Sequence, residues 1–349
     1  MNILVAIIVF SLLILFHELG HFTLAKLNGI RVNEFCLGLG PTIVGFTKGE
    51  TKYSLKLLPF GGACMMEGED ESSEDDRAFN KKGVWARISV VAAGPIFNFI
   101  MAVVFSFVIM CAVGVDTATL SDVIDGYAAQ EAGLQSGDII TKMGGKDIHF
   151  YREISLYAAF HEGEPVEIEF IRPGQDGIDS YVTTLVPKFD EESGRYLYGF
   201  ISSGGREKVG ILETVKYAFY ELAYYIDVTI QSLKMLVSGG ASVNDLSGPV
   251  GIVQSMGEVY EESVQNDGYF IAFLNMMSWA TMLSANLGIM NLLPIPALDG
   301  GRLVFLLVEA IRGKALDPEK EGMVHMVGIL LLFALMFVVM FNDIRKIFI

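Results

Sequence analysis

The sequence predicts an α-helical, multi-pass membrane protein with about four transmembrane helices and an inserted, water-exposed domain. Of its 349 residues, 52% are hydrophobic and 19% are charged, and the mean hydropathy of +0.46 is too high for an ordinary soluble protein. Four long apolar stretches lie at about residues 2–24, 88–113, 269–293 and 323–341. The region between the second and third stretches is mixed and polar, which predicts structure outside the bilayer.

Composition also limits the partners. The net charge of −16 argues against binding of nucleic acid, because a polyanion would be repelled. Cys36, Cys64 and Cys111 have no metal-ligand spacing, so neither a disulfide framework nor a cysteine-type zinc site is expected. The first apolar stretch has neither a basic segment before it nor a small-residue cleavage site, which favours a retained helix over a signal peptide.

The first apolar stretch ends in His17-Glu18-Leu19-Gly20-His21. Four residues make about one helical turn, so both imidazoles project from one face and suit a tetrahedral Zn²⁺. Glu18 lies beside them and can serve as general base, as in zinc metalloproteases with the H-E-x-x-H motif. Such a motif also arises by chance in soluble helices. Polar residues at the end of a membrane helix are expensive, at about 2.5–3.5 kcal/mol for a central charge, which favours the metal site.

A polar connection over 26–87 follows the first span. Its basic residues place it in the cytoplasm by the positive-inside rule, and the N-terminus outside. Short strands at 36–41 and 51–59 predict a β-hairpin, either associated with the membrane core with its edges open for pairing or lying on the surface. Seven acidic residues between 67 and 76 predict a solvated loop.

The second span opens with Gly94-Pro95-Ile-Phe-Asn98. We expect Gly-Pro to break or kink the helix and Asn98, which is polar at membrane depth, to face the protein interior. From there the Asn98 amide could bond a substrate backbone or a neighbouring helix.

Residues 115–187 change character. Ala129-Gln-Glu-Ala-Gly-Leu134, followed by Gly137-Asp138 and Gly145-Lys-Asp-Ile148, resembles the middle of a PDZ domain, and 166–172 and 181–186 alternate as strands should. PDZ domains bind an extended peptide at a sheet edge. A small β-rich domain of another type is the alternative. His149 and His161 lack ligand-like company and are expected to be ordinary histidines.

The segment 211–237 is apolar but carries five charged residues. A position at the membrane centre would be costly, so we expect a helix lying at the interface. Its tyrosines suit the headgroup region: Tyr217, Tyr220, Tyr224 and Tyr225.

The third span ends in Asn291-Leu-Leu-Pro-Ile-Pro-Ala-Leu-Asp299-Gly-Gly. The two prolines cannot continue a regular helix, which predicts extended backbone just before Asp299. With 211–237 outside the bilayer, the first and third spans run in the same direction. Asp299 then lies at the depth of the two histidines, as a third zinc ligand would; capping of the Gly-Gly turn is the alternative. His325 is expected to be interfacial.

Together these elements resemble the site-2 protease family, in particular the bacterial regulator-of-sigma-E protease type with one PDZ domain. The resemblance rests on the H-E-x-x-H motif, Gly94-Pro95 with Asn98, the PDZ-like insert, Ser247-Gly-Pro-Val-Gly251 and the segment from Asn291 to Gly300, and it covers nearly the whole chain. It implies a zinc-dependent intramembrane endopeptidase of the bacterial cytoplasmic membrane. Its substrates would be single-span membrane proteins such as anti-sigma factors and remnant signal peptides.

The resemblance also assigns roles to residues. His17, His21 and Asp299 match the family's zinc ligands, and Glu18 matches its catalytic base. Asn98 and Asn291 match asparagines that help to hold the substrate or to stabilise the reacting carbonyl. The active site would face the cytoplasm and the PDZ-like domain the outside. The rival hypothesis is a non-proteolytic transporter or PDZ-bearing scaffold, but no inverted repeat is apparent and four spans are few.

This interpretation divides the chain into four regions. An N-terminal membrane core spans 1–113 and a PDZ-like domain 114–190. A linker with an interfacial helix spans 191–268, and a C-terminal membrane core spans 269–349.

Overall fold

A computed structural model describes residues 2–69, 73–174, 177–202, 205–240, 247–314 and 318–348. The chain forms two compact units, one of residues Met1–Ser106 with Tyr225–Ile349 and the other of residues Phe107–Tyr224. The helices of the described residues are α1 (Asn2–Leu27), α2 (Val84–Val113), α3 (Ala128–Glu131), α4 (Tyr151–Phe160), α5 (Ile211–Val237), α6 (Pro249–Asn266), α7 (Tyr269–Leu292), α8 (Asp299–Arg312) and α9 (Pro318–Phe348). The strands are β1 (Val32–Lys48), β2 (Thr51–Met66), β3 (Leu120–Val123), β4 (Ile139–Met143), β5 (Lys146–Asp147), β6 (Val166–Gly174), β7 (Gly177–Leu185), β8 (Lys188–Asp190), β9 (Arg195–Leu197) and β10 (Phe200–Ser202).

Four helices are long and apolar enough to cross a membrane, which confirms the predicted number of spans. They are Ile3–Leu27, Val84–Val113, Tyr269–Leu292 and Glu321–Lys346. The second span begins four residues before the predicted start at 88. Within the described part of the chain α5 does not qualify as a span, in agreement with its charge content.

The Gly94-Pro95 pair does not break α2, so of the two predicted outcomes the break is wrong, and the kink stays a prediction. The helix is continuous from Val84 to Val113 with Pro95 inside it. Proline lacks the N–H that would bond the Val91 carbonyl, but this removes a single hydrogen bond from a long helix. Neighbouring groups inside a membrane protein commonly satisfy the freed carbonyl, and the helix is retained.

The predicted β-hairpin is present and is longer than expected. Its two strands bend, so that Phe35 pairs with both Tyr53 and Cys64. Segment 32–37 therefore lies between segments 52–55 and 62–66, while 42–48 pairs with 51–56. Segment 62–66 forms one edge of this folded hairpin, since no described strand pairs with its other side.

The acidic segment after the hairpin is more ordered than a solvated loop. Glu67 accepts hydrogen bonds from Asn33 and Ser73, and Asp75 forms an ion pair with Arg31. Asp70 and Glu71 of the predicted loop lie outside the described residues.

Helix α6 was not predicted. It begins at Pro249, a favoured first position because proline has no N–H to leave unbonded there. Its Met256 is buried against residues of α1 and α7 in one apolar cluster. The N–H groups of Gly248 and Gly251 donate to the buried carboxylate of Asp343, at 2.9 and 3.0 Å. Residues 247–251 therefore form the start of a core helix that is anchored to α9.

The second unit has a PDZ-like α+β fold, with a four-stranded sheet in the order β5-β4-β6-β7. Its strands continue to Ser202, beyond the predicted boundary at 190, because β10 pairs with β3. Asp138 is fully buried and accepts from Arg172 Nε and Nη2 at 2.6 and 2.7 Å. His149 stacks on Tyr220 and His161 on Tyr157, so neither belongs to a metal-ligand group within the described chain.

Candidate metal centre

The two histidines of α1 face a stripe of α2 formed by Val90, Gly94 and Asn98, which are spaced one turn apart. A Cβ on Gly94 would lie 2.6 Å from His21 Cε1 and 2.7 Å from His17 Cε1. Only glycine therefore leaves room for both imidazole rings against the α2 backbone.

A second glycine, Gly20 of α1, lies one residue before His21 and lets α1 approach α2 closely. A Cβ on Gly20 would lie 2.7 Å from the carbonyl carbon of Ala93. Small residues at such contacts let membrane helices approach closely. Gly20 of α1 and Gly94 of α2 thus explain the approach that the histidines need.

The ring of His21 has a defined orientation. Its Nδ1 lies 2.9 Å from the Val90 carbonyl oxygen, and a carbonyl can only accept, so Nδ1 carries the proton. In the neutral ring Nε2 then has a free lone pair. This nitrogen points toward His17 Nε2, 3.3 Å away.

Asp299 completes a triangle of donor atoms. Its Oδ2 lies 3.2 Å from His17 Nε2 and 3.5 Å from His21 Nε2. Tetrahedral ligands about 2.0–2.1 Å from Zn²⁺ lie about 3.3–3.4 Å apart, so the three separations fit one zinc ion. Within the described residues this is the one group of histidine, cysteine and acidic side chains that could hold a metal.

The turn before α8 places Asp299. As predicted, α7 ends at Leu292 and non-helical backbone leads to Asp299, the first residue of α8. Ala297 has a positive φ of 83°, which is strained for a residue with a Cβ, and its N–H donates to His325 Nδ1 at 3.0 Å. His325 therefore stabilises this turn, a role that the sequence did not indicate.

The glycine after Asp299 is required by packing. A Cβ on Gly300 would lie 2.5 Å from the carbonyl carbon of Leu292. Close contact between the start of α8 and the end of α7 holds Asp299 in place beside the histidines.

Glu18 faces the edge of the hairpin. Its Oε2 accepts from the Cys64 N–H at 2.9 Å. Because Glu67 N–H bonds Arg31 O on the other side of the strand, the N–H groups of Cys64 and Met66 point outward from this edge. The edge segment 62–66 thus borders the metal-ligand group, which the spacing of the predicted strands did not reveal.

A cavity of about 730 Å³ joins these groups. It is lined by the two histidines, Glu18, Asp299, segment 62–69 and Arg302, among others. Arg302 pairs with Glu69 across the cavity wall. The cavity therefore brings together the base, the ligand atoms and one edge of the hairpin.

Two groups of the cavity have shifted pKa values. Burial acts to raise the pKa of Asp299, but the hydrogen bonds and charge of the two imidazoles outweigh it. The pKa of Asp299 therefore lies well below the usual range for an aspartate. Burial raises the pKa of the Cys64 thiol, and the Glu18 carboxylate raises it further. Asp299 is thus an anionic donor, whereas Cys64 is held as a thiol.

The two asparagines are placed differently. Asn98 is fully buried, and its Nδ2 lies 3.1 Å from His17 Nδ1. Asn291 is half-buried in the last turn of α7. Neither lines the cavity. Their substrate-holding role stays a prediction.

A zinc-type ligand group on a membrane helix, with a glutamate beside it, defines the class of a membrane-embedded zinc metalloprotease. The sequence model of peptidase family M50 matches residues 5–335, and the chain belongs to this family, that of the site-2 proteases. The rival hypothesis of a non-proteolytic transporter or scaffold is therefore excluded.

Relatives extend over the whole chain. A candidate zinc metalloprotease of Clostridium acetobutylicum is 40% identical over 98% of this chain and 97% of its own length. The zinc metalloprotease RasP of Bacillus licheniformis is 33% identical, with both chains covered fully. The regulator of sigma-W protease RasP of Bacillus subtilis is 31% identical over 99% of each chain. The protein is accordingly a zinc metalloprotease of a bacterial membrane.

Among solved structures, the PDZ domain of an SdrC-like protein from Listeria monocytogenes is similar to part of the chain. It is 22% identical, with a TM-score of 0.22, over 26% of this chain and 93% of that domain.

Proposed function

We propose that His17, His21 and Asp299 hold the catalytic zinc and that Glu18 is the general base of an intramembrane endopeptidase. The observation that carries the proposal is the convergence of the two Nε2 atoms and Asp299 Oδ2 to within 3.5 Å of one another. Two neutral nitrogens and one carboxylate leave a tetrahedral ion with one open position, as a catalytic zinc requires.

Zinc at this site would supply Lewis-acid polarisation of the scissile carbonyl and acidify water beside it. Glu18 would take the proton of the attacking water and pass it to the leaving amine. Since Oε2 of Glu18 accepts the Cys64 N–H, we assign the proton transfer to Oε1. The hydrogen bond from the strand also keeps the carboxylate directed into the cavity.

The substrates we propose are single-span membrane proteins. A transmembrane helix hides its amides in internal hydrogen bonds, so it must unwind locally before attack. The outward edge of segment 62–66 can hold such an unwound stretch by β-strand addition. Asn291, at the end of α7, would contribute a further hydrogen bond to it, as the resemblance implies.

Anti-sigma factors and remnant signal peptides are the substrate classes that the family suggests, and one relative is named a regulator of sigma-W. The PDZ-like unit would act either as a filter against bulky ectodomains or by binding a newly made C-terminus. We propose that it lies outside the membrane and that the metal site faces the cytoplasm; the parity of spans and the basic residues of 26–87 support this.

The test combines metal content with cleavage. Wild type and Glu18→Gln would be purified in detergent and incubated with a single-span substrate that lacks its ectodomain. One zinc per chain in both proteins, with cleavage by wild type alone, is expected. Zinc in neither protein, without rescue by added zinc, would refute the ligand assignment; equal cleavage by both would refute the role of Glu18.

A further inference from the structure

Asn98 of α2 contacts His17 at Nδ1, whereas Asp299 lies next to Nε2 of the same ring. Its side chain is fully buried. Its amide lies 3.1 Å from Nδ1 of His17, the ring nitrogen on the far side from Asp299. Asn98 does not line the cavity, so its amide is not exposed to a substrate there.

One polar atom of the Asn98 side chain lacks a hydrogen-bond partner among the described residues. With Nδ2 toward His17, the oxygen Oδ1 is buried and accepts no hydrogen bond from the described residues. A buried acceptor without a donor costs about 1–3 kcal/mol. The nitrogen and oxygen of an amide are interchangeable by a 180° rotation, and the bonding network decides between them.

Rotation of the amide gives the buried oxygen a donor and leaves Nε2 of His17 free. Oδ1 then accepts from a protonated His17 Nδ1, and Nε2 keeps its lone pair toward Asp299 and His21. His21 already has this arrangement, because its Nδ1 donates to the Val90 carbonyl. Both histidines would thus donate from Nδ1 to α2 and present a free Nε2 to the site.

The backbone of Asn98 is also fixed from another side. The Ser284 hydroxyl of α7 donates to the Asn98 carbonyl oxygen at 2.8 Å, and Ser284 is itself fully buried. Helix α7 leads directly to the turn that carries Asp299. The backbone at Asn98 is therefore held by α7 as well as by its own helix.

We infer that Asn98 is a positioning residue that accepts the Nδ1–H of His17 and so fixes the ring in the tautomer that binds metal through Nε2. The inference rests on the proposed role of His17 as a ligand. It replaces the prediction that Asn98 holds the substrate. Loss of such a support for a metal-binding histidine typically lowers metal affinity about 10–100-fold.

Three variants test whether Asn98 acts as a hydrogen-bond acceptor for His17 or as a hydrogen-bond donor to the substrate. Asn98→Asp keeps an acceptor but has no N–H to give a substrate, whereas Asn98→Leu keeps the approximate volume and has neither. Ser106→Ala removes another buried polar group of α2, two turns further on, and is the matched control. Zinc affinity would be measured by competition with a chromophoric chelator.

The expected result is near wild-type zinc affinity in Asn98→Asp and in Ser106→Ala, and a loss of about 10–100-fold in Asn98→Leu. Wild-type affinity in Asn98→Leu would overturn the inference. Equal losses in Asn98→Asp and Asn98→Leu would also overturn it, because an acceptor would then make no difference.

A second readout does not depend on bound zinc. Nitrogen chemical shifts of ¹⁵N-labelled histidine in the metal-free protein at pH 8 report the tautomer of His17. Because Asp299 Oδ2 lies 3.2 Å from Nε2 and also attracts a proton there, the comparison between variants is what counts: we expect a larger Nδ1-protonated population in wild type and in Asn98→Asp than in Asn98→Leu. Equal tautomer populations in wild type and Asn98→Leu would contradict the inference. A wild type with the expected tautomer but no zinc affinity would instead refute the proposed metal site.

Discussion

Substitution of Gly94 by alanine adds one methyl group at the point where α2 meets both histidines. The new carbon would lie 2.6 Å from His21 Cε1 and 2.7 Å from His17 Cε1, whereas ordinary contacts between carbon atoms are about 3.5–4.0 Å. At least one ring must therefore move by about 1 Å. The prediction is that Gly94→Ala loses zinc.

Two opposing effects determine the size of the loss. Alanine favours a helix over glycine by about 1 kcal/mol, so helix propensity alone would stabilise the variant. Overpacking of a well-filled interior costs about 1–3 kcal/mol, and the displaced rings are the proposed ligands. A misplaced ligand is expected to reduce zinc affinity at least as much as a lost support does, about 10–100-fold.

The assay is a chelator competition on purified protein, with thermal unfolding measured in parallel. The matched control is Gly83→Ala, because a Cβ at Gly83, just before α2, meets no atom within 4 Å. The control should bind zinc as wild type does. Wild-type zinc affinity in Gly94→Ala would refute the claim that this glycine makes room for the ligands.

Further predictions concern other contacts. Asp138→Ala should destabilise the second unit by about 3 kcal/mol, because it leaves the Arg172 guanidinium without its buried partner; proteolysis of that unit reports the loss, and unchanged sensitivity would contradict it. Asp343→Ala should lower the free energy of unfolding by about 2 kcal/mol or more, since two N–H groups at the start of α6 lose a charged acceptor; an unchanged melting temperature would count against this. At pH 8 iodoacetamide should not alkylate Cys64, whose raised pKa leaves little thiolate; rapid labelling of Cys64 in a Cys111→Ser variant would refute the burial of that thiol.

Much of the membrane architecture could be predicted because long apolar runs have few alternatives. The four spans and the hairpin follow from hydropathy and alternation, and the irregular backbone before Asp299 follows from Pro294 and Pro296. Helix α6 was missed because residues 191–268 were interpreted as a linker with one interfacial helix. A start signal was nevertheless present in Gly248-Pro249, followed by apolar residues at helical spacing.

The sequence indicated the side chains of the candidate ligands, but not the groups that hold the two histidine rings in place. The spacing of His17 and His21 and the parity argument for Asp299 agree with the geometry found. The supports of the two rings could not be predicted, because the Val90 carbonyl is a backbone group and carries no sequence signal. For Asn98 the sequence indicated an interior position, but only the three-dimensional arrangement shows that it contacts His17.

X-ray absorption at the zinc edge of the loaded wild-type protein tests the central claim most directly. Cys64 lines the same cavity as the two histidines and Asp299, so the spectrum also shows whether its sulfur replaces one of them. The account predicts only nitrogen and oxygen neighbours at about 2.0–2.2 Å, with imidazole scattering, and a weaker imidazole signal in His17→Ala. A sulfur shell at about 2.3 Å would contradict the assignment of His17, His21 and Asp299 as the ligand set.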